Sequence, residues 1–228
     1  MAKKIALVTG SARGLGWGTA LALANKGYHV ALLGRDAGKL EGRKKEIETT
    51  GGSATVFRLD LSEVTSIDHA IVEVKRAYSG GIHVLVNNAG IFPEKAGAYD
   101  RAMTEEVMQV NALGPLQFTL GLAGPLAAGN ANVVNVSSGM GGLTEMGAGY
   151  PAYRLSKCAL NAATRYLSQE WKSLRVNSVC PGWVKTDMGG DSADRSIEEG
   201  VASILWAALL SEKGPTGGFF RDGKPLAW

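Results

Sequence analysis

The chain is poor in cysteine and histidine. Cys158 and Cys180 are the only cysteines in 228 residues, they form no CxxC pair, and no histidine stands at ligand spacing from either. This argues against a structural metal site and a disulfide framework, and fits a reducing compartment. Long apolar runs are also missing at the N-terminus, where Ile5–Val8 ends at Thr9-Gly10. A secretory signal needs a longer run and a membrane span a far longer one, so the expectation is a soluble, cytoplasmic protein. There is no basic block. Lys+Arg 24 against Asp+Glu 21 leaves a formal charge of +3, and the densest cluster, Arg43-Lys44-Lys45, is hemmed in by Glu41, Glu46 and Glu48. It reads as a solvated helix face, and neither nucleic acid nor membrane is an expected partner. Linkers, internal repeats and low-complexity segments are absent, and 45% hydrophobic with 20% charged residues excludes disorder. Residues 1–228 are expected to form one domain.

Glycine is in excess. The chain has 31, about twice the usual share and without a collagen period, which suggests tight turns and close backbone approaches, as around a phosphate. Short apolar runs alternate with amphipathic stretches throughout. Strands are expected at Ile5–Thr9, His29–Leu33, Thr55–Leu59, His83–Asn87, Asn132–Val136, Arg175–Val179 and, more weakly, Gly218–Phe220. Helices are expected at Gly14–Lys26, Lys39–Thr49, Val64–Tyr78, Thr104–Ala112, Pro115–Ala128, Tyr150–Trp171 and Ile197–Leu210. Apolar runs of this kind suit strands buried on both faces. Their alternation with helices implies an α/β fold, a doubly wound, Rossmann-like parallel sheet of about seven strands in a three-layer α/β/α domain. Ligands bind such sheets beyond the carboxyl ends of the strands.

The first strand runs into Thr9-Gly10-Ser11-Ala12-Arg13-Gly14-Leu15-Gly16 and then a helix. Gly10 permits the turn, while Gly14 and Gly16 let amides and a helix N-terminus approach a pyrophosphate. Sheets that bind NAD usually end strand two with an acid for the ribose hydroxyls. Here the sequence is Leu33-Gly34-Arg35-Asp36. Arg35 suits a 2′-phosphate, and Arg13 can reach the same group. Asp36 is either the displaced acid or the N-cap of the next helix. NADP(H) is therefore favoured over NAD. Asp60-Leu61, at the end of strand three, suits an adenine ring through a carboxylate and an amide, or else Asp60 is an N-cap. Asn87-Asn88-Ala89-Gly90 lets the backbone pass close to a cofactor ribose.

Tyr153-Arg154-Leu155-Ser156-Lys157 is a YxxxK on a long helix, so phenol and ammonium share one face. The Lys157 cation is expected to lower the Tyr153 pKa into a useful range. Tyr150 meets Arg154 at that spacing and reads as wall or helix entry. Ser138, after the fifth strand, can donate to an oxygen gaining negative charge; Ser137 is the alternative if the strand ends early. No histidine neighbours them and GxSxG is absent, which disfavours a hydrolase.

TGxxxGxG at Thr9–Gly16, NNAG at Asn87–Gly90, Asn111, the serine pair, YxxxK and Pro181-Gly182 occur together and in order. The set resembles the short-chain dehydrogenase/reductase family in its single-domain form, and the stretch Cys180–Met188 is similar to carbonyl-reductase-like members. The resemblance implies oxidoreduction of a carbonyl and an alcohol. Tyr153 would be general acid or base, and Lys157 would hold the nicotinamide ribose. Ser138 would orient the carbonyl, and Asn111 would support a proton-relaying water. Gly10, Ser11, Arg13, Gly14, Leu15, Gly16, Arg35, Asp60, Leu61, Asn88, Ala89, Gly90, Tyr153, Lys157, Pro181, Gly182, Val184 and Thr186 would contact the cofactor. Ser138 and Tyr153 stand 15 apart, slightly more than the family's usual spacing. The added residues lie in Gly139–Gly149, expected to form a substrate wall. The long insertion that keeps some carbonyl reductases monomeric is missing, which implies a homodimer or homotetramer. Met188–Ser196 reads equally as a lid or a solvent loop. Trp183, Met140, Met146 and Met188 would make an apolar pocket for a small-molecule substrate or else pack in the core, and Cys180 is either near the nicotinamide or a buried inert thiol.

Overall fold

β1 (Ile5–Thr9) shows how the two cores arise. Leu7 points into one apolar cluster with Leu33, Leu85 and Phe118, while Ala6 and Val8 point into another with Leu23, Val86 and Ile204. Alternate residues face opposite sides of a strand, so a strand apolar throughout needs a helical layer on each face. The computed structural model of the chain describes residues 3–92, 99–144 and 146–228. Glu145, within the expected Gly139–Gly149 wall, lies outside them.

From β1 the chain continues through α1 (Gly14–Asn25), β2 (His29–Gly34), α2 (Ala37–Thr49), β3 (Ser53–Arg58), α3 (Val64–Ala77) and β4 (Val84–Asn87). The second half runs α4 (Arg101–Met108), α5 (Gly114–Gly121), α6 (Ala123–Ala128), β5 (Asn132–Val136), α7 (Pro151–Glu170), β6 (Arg175–Val179), α8 (Ile197–Ala208), β7 (Phe219–Arg221) and β8 (Lys224–Pro225). Among the described residues the sheet has eight strands in the order β3-β2-β1-β4-β5-β6-β7-β8. All pairs are parallel except β7 with β8. The order reverses between β1 and β4, which opens a crevice at their carboxyl ends.

Three elements depart from expectation. The eighth strand follows a hairpin through Asp222 (φ 52°) and Gly223 (φ 76°), both left-handed as a two-residue primed turn requires. α4 begins at Arg101 rather than Thr104, because the Asp100 carboxylate accepts from the Met103 amide at 2.7 Å and caps an earlier start. The helix then widens into a π turn, Gln109–Leu113, before α5. Pro115 has no N–H to offer the carbonyl four residues back, that of Asn111, so the α ladder cannot run through unbroken. The single helix expected at Pro115–Ala128 is two, α5 and α6, which part at Leu122 because Pro125 has no N–H for the carbonyl of Gly121.

A polar ladder crosses the middle of the sheet. Asn87 Nδ2 donates to Asn135 Oδ1 at 2.8 Å and to Thr119 Oγ1 at 2.9 Å. Asn135 Nδ2 donates to Thr164 Oγ1 at 2.8 Å, whose hydroxyl meets Ser178 Oγ at 2.8 Å. All five side chains are buried.

Candidate active site

The loop after β1 is locked onto the loop after β4. Thr9 Oγ1 accepts from the amides of Asn88 and Ala89, both at 3.0 Å, and Asn88 Nδ2 returns a bond to Thr9 O at 2.9 Å. Gly10 adopts φ 66° and Gly14 φ 54°. A Cβ on Gly16 would lie 2.2 Å from Gly10 O and 2.5 Å from Asn88 Nδ2, so only glycine fits. α1 starts at Gly14 without a side-chain cap, whereas α2, α4 and α8 are capped by Asp36, Asp100 and Ser196. An uncapped N-terminus at the crevice offers its first amides to an anion.

At the nucleotide end of the crevice, Asp36 accepts from the Lys39 amide at 3.0 Å. It is the N-cap of α2, the second of the two roles open to it. Arg35 stands exposed beside it. Burial alone would raise the Asp60 carboxyl, but hydrogen bonds from Ser62 and the charges of Arg35 and Arg58 outweigh it and hold it below its ordinary range. The Asp60 side chain binds the Ser62 amide and hydroxyl, while Glu63 is the N-cap of α3, so the cap reading of Asp60 fails. Arg13 pairs with Asp187, from the loop after β6. That loop crosses over the glycines: a Cβ on Gly14 would lie 3.5 Å from Thr186 Cγ2. Between them is a cavity of about 340 Å³ lined by Gly14, Lys185, Thr186, Asp187, Gly190, Asp191 and Ile197.

The segment 188–196 is tied down at both ends. Val184 and Arg195 form a parallel bridge, Lys185 N donates to Arg195 O at 2.9 Å, and Trp183 Nε1 donates to Gly189 O at 2.8 Å. Arg195 in turn makes two 2.8 Å bonds to the Asp222 carboxylate. Pro181 and Gly182 begin the loop after β6 that leads to it, with Gly182 at φ 85°. Of the expected apolar lining, Trp183, Met146 and Met188 are exposed.

Tyr153 and Lys157 are both buried, one turn apart on α7. Lys157 Nζ lies 5.7 Å from the Tyr153 ring centroid and donates to Val136 O at 2.9 Å. Burial pushes the phenol up to about 12, with the Ser138 hydroxyl pulling the other way, and pushes the ammonium down to about 8. The expected depression of the Tyr153 pKa by Lys157 is thus corrected. The lysine's nearest acceptor is a main-chain oxygen, and loss of water disfavours the charged form of each group. Ser138 is half-buried and accepts from the Met140 amide at 3.2 Å; Ser137 is buried, its hydroxyl 3.5 Å from Lys157 O. Only the former is open to a ligand beside Tyr153.

Asn111, in the π turn, is fully buried. Its Oδ1 accepts from the Ile91 amide at 2.8 Å, and its Nδ2 donates to Ile91 O at 2.9 Å and to Ser156 Oγ at 3.0 Å. The side chain is a staple between the β4 loop and α7. A Cβ on Gly90 would lie 3.1 Å from Asn111 Oδ1 and 3.6 Å from Lys157 Nζ, so this glycine keeps the gap between them clear. The staple also sets Phe92, whose ring packs 4.7 Å from Tyr153 and 4.8 Å from Tyr150. Sequence reading missed Phe92; its proximity to NNAG was the only signal. Tyr150 is the left-handed residue (φ 52°) that turns the chain into α7, the wall or entry role expected of it. Cys180 is buried, its sulfur accepting from Gly139 N at 3.2 Å and from Arg221 Nη2 at 3.0 Å.

The model of the family described as short chain dehydrogenase matches residues 4–196. The chain belongs to this family. Among curated relatives of this short chain dehydrogenase, (+)-neomenthol dehydrogenase of Arabidopsis thaliana is 31% identical, with 95% of each chain covered. Carbonyl reductase [NADPH] 1 of Oryctolagus cuniculus is 30% identical, with 99% of each covered. That alignment extends over 275 positions against a chain of 228, so the rabbit protein carries segments this one lacks. Among solved structures, carbonyl reductase Sniffer of D. melanogaster superposes with a TM-score of 0.88 at 31% identity, covering 100% of both chains. The short chain dehydrogenase is thus an oxidoreductase of the Rossmann-like type. Among its described residues no helix is long and apolar enough to cross a membrane.

Proposed function

We propose that this protein is an NADPH-dependent carbonyl reductase, interconverting a ketone, aldehyde or quinone and its alcohol, with reduction as the working direction. The observation that carries this reading is the buried pair Tyr153 and Lys157, one helical turn apart and beside Ser138, at the crevice into which α1 opens uncapped. Bound NADPH supplies the hydride. The fit of a dinucleotide rests on the glycine loop, where Gly16 has no room for a side chain and the first-turn amides have no cap. Gly10, Ser11, Gly14, Leu15 and Gly16 cradle the pyrophosphate. Arg35 takes the 2′-phosphate. Arg13 joins it by leaving Asp187, an exposed pair of the kind worth about 0–1 kcal/mol. Asp36 is committed to Lys39, so the ribose hydroxyls of NAD would find no acid there. Asp60 and Leu61 meet the adenine, Asn88, Ala89 and Gly90 the ribose, and Pro181, Gly182, Val184 and Thr186 the nicotinamide. The name of the rabbit relative supports the same cofactor.

A phenol held near 12 keeps its proton at neutral pH and is poised to donate it to a carbonyl oxygen in reduction. Ser138 donates to the same oxygen as negative charge gathers on it. Lys157 holds the nicotinamide ribose, and Asn111 supports the proton path toward Lys157. The exposed apolar residues Leu155 and Tyr166 on α7, with Leu113 and Leu120 at α5, support assembly into a homodimer or homotetramer.

The test is NADPH oxidation with a panel of ketones, aldehydes and quinones, run beside Tyr153→Phe. Turnover that disappears in the variant is expected. Tight NADPH binding with no turnover on any compound would favour a non-catalytic NADP(H)-binding protein.

A further inference from the structure

We infer that Arg43 is a positioning residue for the cofactor loop, holding the Ala12–Arg13 peptide in the orientation that presents the loop's amides to a dinucleotide pyrophosphate. The inference rests on the NADPH reading above. Ser11, Ala12 and Arg13 hang between Gly10 (φ 66°) and Gly14 (φ 54°), two residues that tolerate conformations others avoid. A segment hinged on glycines at both ends needs outside anchors to keep one shape. Ser11 supplies the first: its amide and hydroxyl reach Leu33 O on β2 at 3.3 and 3.4 Å. Arg43, on α2, supplies the second, its Nε donating to Ala12 O at 3.0 Å.

The guanidinium is itself fixed from two further directions. Its carbon lies 4.5 Å from the Trp17 ring centroid, on α1, and its Nη1 meets both carboxylate oxygens of Glu46 at 2.9 and 3.0 Å. Stacking and a forked hydrogen bond together define one plane for the group, which a lysine cannot reproduce. The Ala12–Arg13 peptide is trans, so turning its carbonyl toward Arg43 turns the Arg13 N–H to the opposite face of the loop. A cation on the carbonyl also polarises the peptide and strengthens that N–H as a donor. Glu46 occupies the other side of the guanidinium and balances its charge, so the 2′-phosphate is left to Arg35 and Arg13. The solvated helix face expected for Arg43-Lys44-Lys45 therefore does not describe Arg43.

The experiment measures dissociation constants for NADPH and for adenosine 2′-monophosphate, with melting temperatures, in wild type, Arg43→Lys and Arg43→Ala. The second ligand carries the 2′-phosphate and lacks the pyrophosphate. NADPH binding is expected to weaken on the order of tenfold in both variants, about the size of one hydrogen bond to a charged group. Adenosine 2′-monophosphate should stay within about twofold of wild type. Unchanged NADPH affinity in both variants would overturn the inference. So would a parallel loss of both ligands, which would mark a general structural role or a direct 2′-phosphate contact. A wild-type protein that binds neither ligand would overturn the NADPH reading, and this inference with it.

Discussion

The Lys157 ammonium donates to the main-chain oxygen of Val136 at 2.9 Å, and this bond anchors α7 to the end of β5 directly under Tyr153. Lys157 is buried, and its pKa falls from 10.5 to about 8 because burial disfavours the charged form. Between those values the unfolded chain binds more protons than the folded one, so this group's contribution to stability rises with pH across about 8 to 10.5. Below 8 both states are protonated and the cost of burying the charge is present in full. Lys157→Met has no such term. The melting temperature of the wild type relative to this variant should climb between pH 8 and pH 10. A difference that stays flat, or falls, would show that Lys157 is not buried as a charge at neutral pH.

Tyr153→Phe should lower turnover by on the order of 10²–10⁴, the usual contribution of a general acid. NADPH affinity should change little, because the variant removes one hydroxyl and leaves the glycine loop and Lys157 intact. Steady-state rates and a binding titration on the same preparation separate the two effects, and near-normal turnover would remove Tyr153 from the reaction.

Arg35→Asp should weaken NADPH far more than NADH. The exposed guanidinium beside Asp60 is replaced by a charge that repels a 2′-phosphate. Equal losses for the two cofactors in parallel titrations would refute the assignment.

Asn111→Ala leaves the Ile91 amide and carbonyl without the bonds now at 2.8 and 2.9 Å. The cost is about 1–3 kcal/mol, or a drop of several degrees in melting temperature for a chain of this size. Phe92 follows Ile91, so its packing 4.7 Å from Tyr153 loosens as well. Calorimetry checks the first effect, and a rise in KM for bulky ketones the second.

Much of the fold is legible in the sequence. β1 has the expected bounds because it is a short apolar run closed by a turn, and β5 and β6 because valines recur through each up to the polar or turn residues that follow. Asp36 was open between two roles, and the Lys39 amide decides for the cap. The Asp222-Gly223 turn is a strong short hairpin signal, but the strands it joins are too short to show an apolar alternation of their own. The early start of α4 was hidden because Asp100 stands outside the apolar pattern. Two features had no sequence signature at all. Arg43 sat in what looked like a charged face, and only the fold brings Ala12 and Trp17 to it. The Tyr153 pKa depends on how thoroughly α7 and its neighbours exclude water, which spacing along a helix does not report.

The polar ladder through the sheet has a consequence for how the chain finds its alignment. β4, β5 and β6 are buried at every position, so their apolar side chains are nearly indifferent to a shift of one strand along another. Asn87 lies directly across from Asn135, and Asn135 across from Ser178. A slip by one residue would turn a carboxamide to the wrong face and strand it without partners, at about 1–3 kcal/mol for each orphaned group. With the Asn132–Arg175 bond at 2.6 Å between β5 and β6, these side chains favour one way for the middle of the sheet to line up, the alignment that brings Asn88, Ser138 and Cys180 to the same rim.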